Sequence, residues 1–209
     1  SNLSSTDGAT VTLYAQWELE TYTITYDNLK GATHSNPTTY TIESEIITFI
    51  APTSKPTGYT FANWSPASIA AGSTGDVTVT ANWTASTSEV TLSQEEATEK
   101  GTTSVTATYG SAMPAITKPS RTGYTFGGYY TGKNGAGTQY YKADGTSATT
   151  WNLEGAQTLY AKWEIINYTI TYNTNGGSGT MTPTSYTIET ATFDLPTPHK
   201  TGYTFAGWY

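Results

Sequence analysis

The sequence predicts a mainly β chain of small domains in tandem. Each is expected to be a one-sided sheet of about four strands with a short helical or irregular crossover. Three observations point there. Apolar and polar residues alternate with period two along most segments. Several short strings recur along the chain. Thr occurs 46 times in 209 residues, and its β-branched side chain suits a pleated surface while accepting water.

The strings set the tandem organisation. Gly-Tyr-Thr-Phe occurs at Gly58, Gly123 and Gly202, each time after a short segment containing Pro56, Pro119 or Pro198. A second string reads Leu13-Tyr14-Ala15-Gln16-Trp17, Val79-Thr80-Ala81-Asn82-Trp83 and Leu159-Tyr160-Ala161-Lys162-Trp163. Tyr22-Thr23-Ile24-Thr25-Tyr26 returns at Tyr168 to Tyr172, and Tyr40-Thr41-Ile42-Glu43 returns at Tyr186 to Glu189. From Trp to the next Gly-Tyr-Thr-Phe the spacing is nearly constant, so the extra length of the second unit lies between Gly127 and Gln157. Units of roughly 65 to 80 residues suit small domains, not solenoid repeats.

The chain therefore divides into four parts. Residues 1–17 are expected to be the closing strand of a preceding repeat, and 18–84 a complete repeat. Residues 85–164 are expected to be a complete repeat with an inserted loop at 127–157, and 165–209 the opening part of a truncated repeat. Tyr22, Ile24 and Tyr26 share one strand face, with Thr23 and Thr25 opposite. Val77, Val79, Ala81 and Trp83 repeat the pattern, which marks a sheet packed on one side and wet on the other. Asp144-Gly145 and Asn175-Gly176-Gly177 are tight-turn sequences. Ser93 to Lys100 is the best helix candidate, with Ser93 as N-cap and Glu96 in the capping-box position; Pro66 to Ala71 would be a single turn. The core is expected to contain Trp17, Phe61, Trp64, Trp83, Phe126, Trp163, Phe205 and Trp208, because an aromatic recurring at period two is most often packed.

With these strings in register, the chain resembles the Listeria–Bacteroides repeat, also called the internalin-B-type B repeat. The second unit departs from the pattern: Glu89 to Gln94 lack the Tyr-Thr-Ile-Thr-Tyr string, and Tyr129 stands where Trp64 and Trp208 stand. The resemblance implies a β-grasp-like domain, repeated in tandem on bacterial surface proteins as a stalk or adhesive segment. It implies an extracellular, cell-surface location and attributes no catalytic residues to the family.

Composition narrows the chemistry. Net charge is −7 with nine basic residues, a poor match to nucleic acid phosphates. There is no Cys, hence no disulfide, thiolate nucleophile or Cys-ligated metal. No apolar run approaches the ~18 residues of a membrane span, so no membrane insertion is expected. His34 and His199 lie in turn-like contexts without a nucleophile elbow. Glu95, Glu96 and Glu99 read as a solvated helix face, the scattered Asp residues as turn formers, and Gly132 to Gly137 as a hairpin loop. No catalytic residue, metal or cofactor is expected.

Two functions follow. The first is a non-catalytic stalk or spacer, since the linkers at Ala85 to Glu89 and Glu164 to Asn167 are short and favour a semi-rigid rod. The alternative is a module that binds a glycan or host surface protein through the insertion of the second repeat, where Tyr129, Tyr130, Tyr140, Tyr141 and Trp151 cluster. The incomplete terminal repeats also suggest head-to-tail self-association, the strand at Val11 to Trp17 of one chain completing 165–209 of another.

Overall fold

The structure, a computed structural model, describes residues 7–209. Among the described residues its regular structure is almost all strand, with one short 3-10 turn at Lys133–Gly135, and it divides into two compact units, one ending at Thr84 and the other Ala85–Tyr209. The tandem, mainly β organisation is the fold of this chain.

The first unit is built on six strands: β1 (Tyr22–Asp27), β2 (Thr39–Tyr40), β3 (Ile47–Thr48), β4 (Tyr59–Ser65), β5 (Ser68–Ile69) and β6 (Val77–Ala85). Four of them form a sheet in the order β2-β1-β6-β4, and β3 pairs with β5 as a small satellite. β6 occupies a central position. It runs parallel to β1, with Ile24 opposite Val77 and Tyr26 opposite Val79, and it is bonded on its other side to β4. A parallel pair needs a long crossover, and residues between β1 and β6 supply it. Alternation puts Val79 and Ala81 of β6 under the sheet with Ile24, Tyr40, Phe49, Trp64 and Ile69, while Thr23, Thr25 and Thr78 face water.

The second unit repeats the plan and enlarges it. β7 (Thr87–Ser93), β8 (Ser104–Thr108), β9 (Tyr124–Tyr130), β10 (Gln139–Tyr141) and β11 (Gln157–Ile165) form one sheet in the order β10-β9-β11-β7-β8. β11 is the counterpart of β6, parallel to β7 and antiparallel to β9. The insertion folds back on β9 as a hairpin and adds β10 as a fifth strand. The rest of this unit, residues 166–209, holds only the short pair β12 (Tyr168–Thr169) and β13 (Ser185–Tyr186).

Three expectations are corrected. Ser93 to Lys100 is not a helix. Ser93 ends β7, and Glu95 and Glu96 take left-handed φ values of 38° and 60°. The Gln94 carboxamide donates to the carbonyls of Gly101 and Thr102 and accepts from the Gly101 amide, so tertiary contacts outweigh a local capping box that could support only two isolated turns. Pro66 to Ala71 contains β5 instead of a helical turn. Residues 9–21 carry no strand, and residues 1–6 of the expected closing strand lie outside the described residues.

Candidate functional site

The insertion was the sequence's candidate binding surface, and its aromatic side chains are mostly interior. Tyr129, Tyr140, Tyr141 and Trp151 are 0–1 % exposed and sit in one core with Val90, Leu92, Leu159 and Ala161. A ligand could not reach them without opening the domain. Tyr130 alone of the five is half-buried, on the opposite side of β9 from Tyr129.

Local geometry explains the burial. Consecutive strand residues normally face opposite ways, yet Tyr140 and Tyr141 both point inward because the β9–β10 register slips at this point. Gly128, with φ 111°, makes room for the slip, since a Cβ there would lie 2.1 Å from the Tyr141 carbonyl oxygen. Tyr140 Oη donates to the Asn152 side chain, and Tyr141 Oη to the Pro114 carbonyl 2.9 Å away. Trp151 is clamped through its backbone: its amide donates to Ser111 O at 2.8 Å and its carbonyl accepts from Gly110 N at 2.7 Å. Neither Tyr129 Oη nor Trp151 Nε1 has a hydrogen-bond partner among the described residues, so these two side chains contribute apolar burial.

The recurrent aromatics divide into those packed in or against a core and those left exposed. Trp64 is buried and donates from Nε1 to Ile50 O at 2.7 Å. Phe61 and Trp83 pack partly buried against that core, and Phe126 and Trp163 do the same in the second repeat. Trp208 is partly buried, with Nε1 donating to Pro196 O at 2.8 Å and its ring 5.1 Å from Tyr172. Phe205 departs from the expected core: it is exposed at 37 %, touching Trp208 at 5.4 Å between ring centroids in a segment that forms no strand. Trp17 is the clear correction: it is 90 % exposed, because no strand among the described residues pairs with its segment and no sheet face covers it.

Other chemistry-bearing side chains are engaged in turns and stacks. His34 lies against the Tyr26 ring at 3.9 Å. The His199 backbone pairs with Ser178. Asp144 Oδ1 accepts from the amide and hydroxyl of Thr146, which holds its carboxyl below the usual range, and Asp76 Oδ1 accepts from the Thr23 amide. Glu96 pairs with Arg121 at 2.7 Å and Glu95 with Lys133 at 3.4 Å. Glu95, Glu96 and Arg121, with Tyr124, Trp163 and Glu189, line an open, polar groove of about 270 Å³ in the second unit.

Burial also perturbs the phenols. It pushes Tyr26 and Tyr141 up to about 12 and raises Tyr129 and Tyr140 as well. A phenol whose folded value exceeds its unfolded value stabilises the fold fully below pH ~10. That contribution is lost as pH rises through the folded values. Urea unfolding at stepped alkaline pH should therefore show both complete repeats weakening above pH ~10, with the buried phenols ionising only as the chain unfolds. Complete ionisation of every tyrosine before any loss of β-sheet circular dichroism would contradict this.

Comparison with known proteins agrees with the internal repeat. The Listeria-Bacteroides repeat domain profile matches residues 22–93, 96–162 and 168–209. A protein of Evansella cellulosilytica named "Putative membrane protein" is 28 % identical over 95 % of this chain and 29 % of its own length. A second from that organism, named "Putative Gly-rich membrane protein", is 27 % identical over 94 % of this chain and 22 % of its own length. Internalin H of Listeria monocytogenes is 34 % identical over 51 % of this chain and 18 % of its own length. The chain thus spans less than a third of the length of these relatives. No solved structure matches it. Three matched stretches, each coinciding with one set of the recurring strings, place this chain in the Listeria-Bacteroides repeat domain family.

Proposed function

We propose that this chain is a non-catalytic spacer segment of a bacterial cell-envelope surface protein. One observation carries the reading: successive repeats follow one another with almost no linker. Ser86 alone separates β6 from β7, and Ile166 and Asn167 alone separate β11 from β12. Linkers this short restrict the motion of one folded repeat against the next, as a spacer requires. Each complete repeat has its own apolar core, so repeats can be added in series without a shared core. Thr-rich strand faces keep such a series wet on the outside. The relatives' names, two membrane proteins and an internalin, support an envelope location. No helix among the described residues is long and apolar enough to cross a membrane.

The test is backbone ¹⁵N relaxation on the full chain. The expected outcome is one slow tumbling time shared by residues 22–84 and 87–165. Separate, faster tumbling times, each appropriate to a single small domain, would defeat the spacer reading.

A further inference from the structure

The second unit contains one place where a repeat meets the opening of the next. The Arg121–Tyr124 corner leads into β9, and Gly123 holds φ at 77°. Against it lies the turn Thr187–Thr190 from the following segment. This turn is closed twice, by Thr190 N to Thr187 O at 3.1 Å and by Thr187 N to Thr190 Oγ1 at 2.8 Å. It presents Ile188 and Glu189 at its tip. Ile188 sits so close over Gly123 that a Cβ built on the glycine would stand 2.5 Å from Ile188 Cβ. Tyr124 Oη donates to the Glu189 carboxylate. The Arg121 guanidinium stacks on the Tyr124 ring at 3.8 Å and pairs with Glu96, holding the phenol in place. The linker adds a bond from Ile166 N to Gly123 O at 2.9 Å.

Both halves recur elsewhere in the chain. The turn Thr41–Ser44 closes with the same two bonds, Ser44 N to Thr41 O and Thr41 N to Ser44 Oγ, both 3.0 Å, and its Ile42 is half-exposed, as Ile188 is. Gly202 takes φ 79° with no atom of the described residues within 4 Å of its would-be Cβ, and Lys200 stacks on Tyr203 at 4.7 Å.

We propose that the Gly-Tyr corner of one repeat and the Ile-Glu turn of the next form a built repeat-to-repeat contact, which fixes the orientation of the following repeat. The partner that this surface fits is a tandem repeat of the same family. The contact deepens the spacer reading and rests on it: it names the side chains that restrict the joint, beyond linker length. Its chemistry is steric and polar together. Only a glycine admits the Ile188 side chain, and the phenol-carboxylate bond sets the register.

The chain has no native cysteine, so Thr106→Cys and Ser185→Cys place two spin labels specifically, one on β8 and one on β13. Pulsed electron-electron resonance on the full chain should give one narrow distance distribution. Ile188→Asp should abolish the narrow peak, and Glu189→Ala should broaden it less. Ile42→Asp, the same residue in the first repeat's turn, should leave it unchanged. A narrow peak that survives Ile188→Asp would overturn the contact while leaving the spacer reading standing. A broad distribution in the parent chain would overturn the contact, and relaxation would then show whether the spacer reading falls with it.

Discussion

Trp151→Ala is expected to unfold the second repeat, lowering its stability by about 3–5 kcal/mol. The indole is fully buried among Tyr140, Leu159 and the rest of that core, with its ring centroid 4.8 Å from Tyr140. Its backbone ties the end of the insertion to Gly110 and Ser111. Removing the ring leaves a cavity that backbone anchoring hinders from closing, so the cost falls in the upper range for large-to-small changes. A small domain has roughly 5–15 kcal/mol in total, so most of its margin would go. Tyr130→Ala, half-buried on the other face of β9, should cost no more than about 1 kcal/mol. Urea unfolding followed by circular dichroism and Trp fluorescence measures both variants. Had the aromatic cluster formed an open binding surface, Trp151→Ala would leave the transition midpoint almost unmoved, and that result would refute the packing described here.

The second large effect is expected at the central strand of the first repeat. Val79→Asp places a carboxylate at a fully buried position between β1 and β4, in register with Tyr26. It removes about 1.5–3 kcal/mol of apolar burial and adds an unpaired charge that must be desolvated or protonated, for a total of at least about 4 kcal/mol. The first repeat should unfold. Thr78→Asp, one residue earlier and facing water, should shift stability by about 0.5 kcal/mol. Amide hydrogen exchange resolves the outcome by residue. Protection should vanish across Tyr22–Ala85 and persist in β7 and β11. Simultaneous loss of protection in β7 and β11 would show that the two cores are not independent.

Much of this architecture was legible before any coordinates, and the reason is local. Period-two alternation records which side of a strand is apolar, so the inward faces of β1, β6 and β11 could be read residue by residue. Recurring strings reported the tandem plan because each repeat solves the same packing problem with the same residues. Asn175-Gly176 announced its own turn: both residues take positive φ, and Gly177 N bonds Thr174 O at 2.9 Å.

The misreadings share another cause. Trp17 belongs to the same string as Trp83 and Trp163, yet it is exposed because no strand among the described residues pairs with its segment, and alternation does not report whether a strand finds a sheet to join. Ser93 and Glu96 are correct capping residues for a helix that Gln94, bonded into the 101–102 loop, does not allow. The insertion's aromatics resembled a binding surface because a loop sequence does not say whether it folds back. The overlooked sign was the Gly127-Gly128 pair, standing where the first repeat has Ala62-Asn63, which admits the β10 carbonyl and the register slip that turns Tyr140 and Tyr141 inward. Pattern and turn chemistry, both nearest-neighbour properties, settled the apolar faces of β1, β6 and β11 and the recurrence of the plan. Pairing partners, the fate of the insertion and the Ile188–Gly123 contact depend on residues distant in the chain meeting in space, where packing and desolvation outweigh local preference.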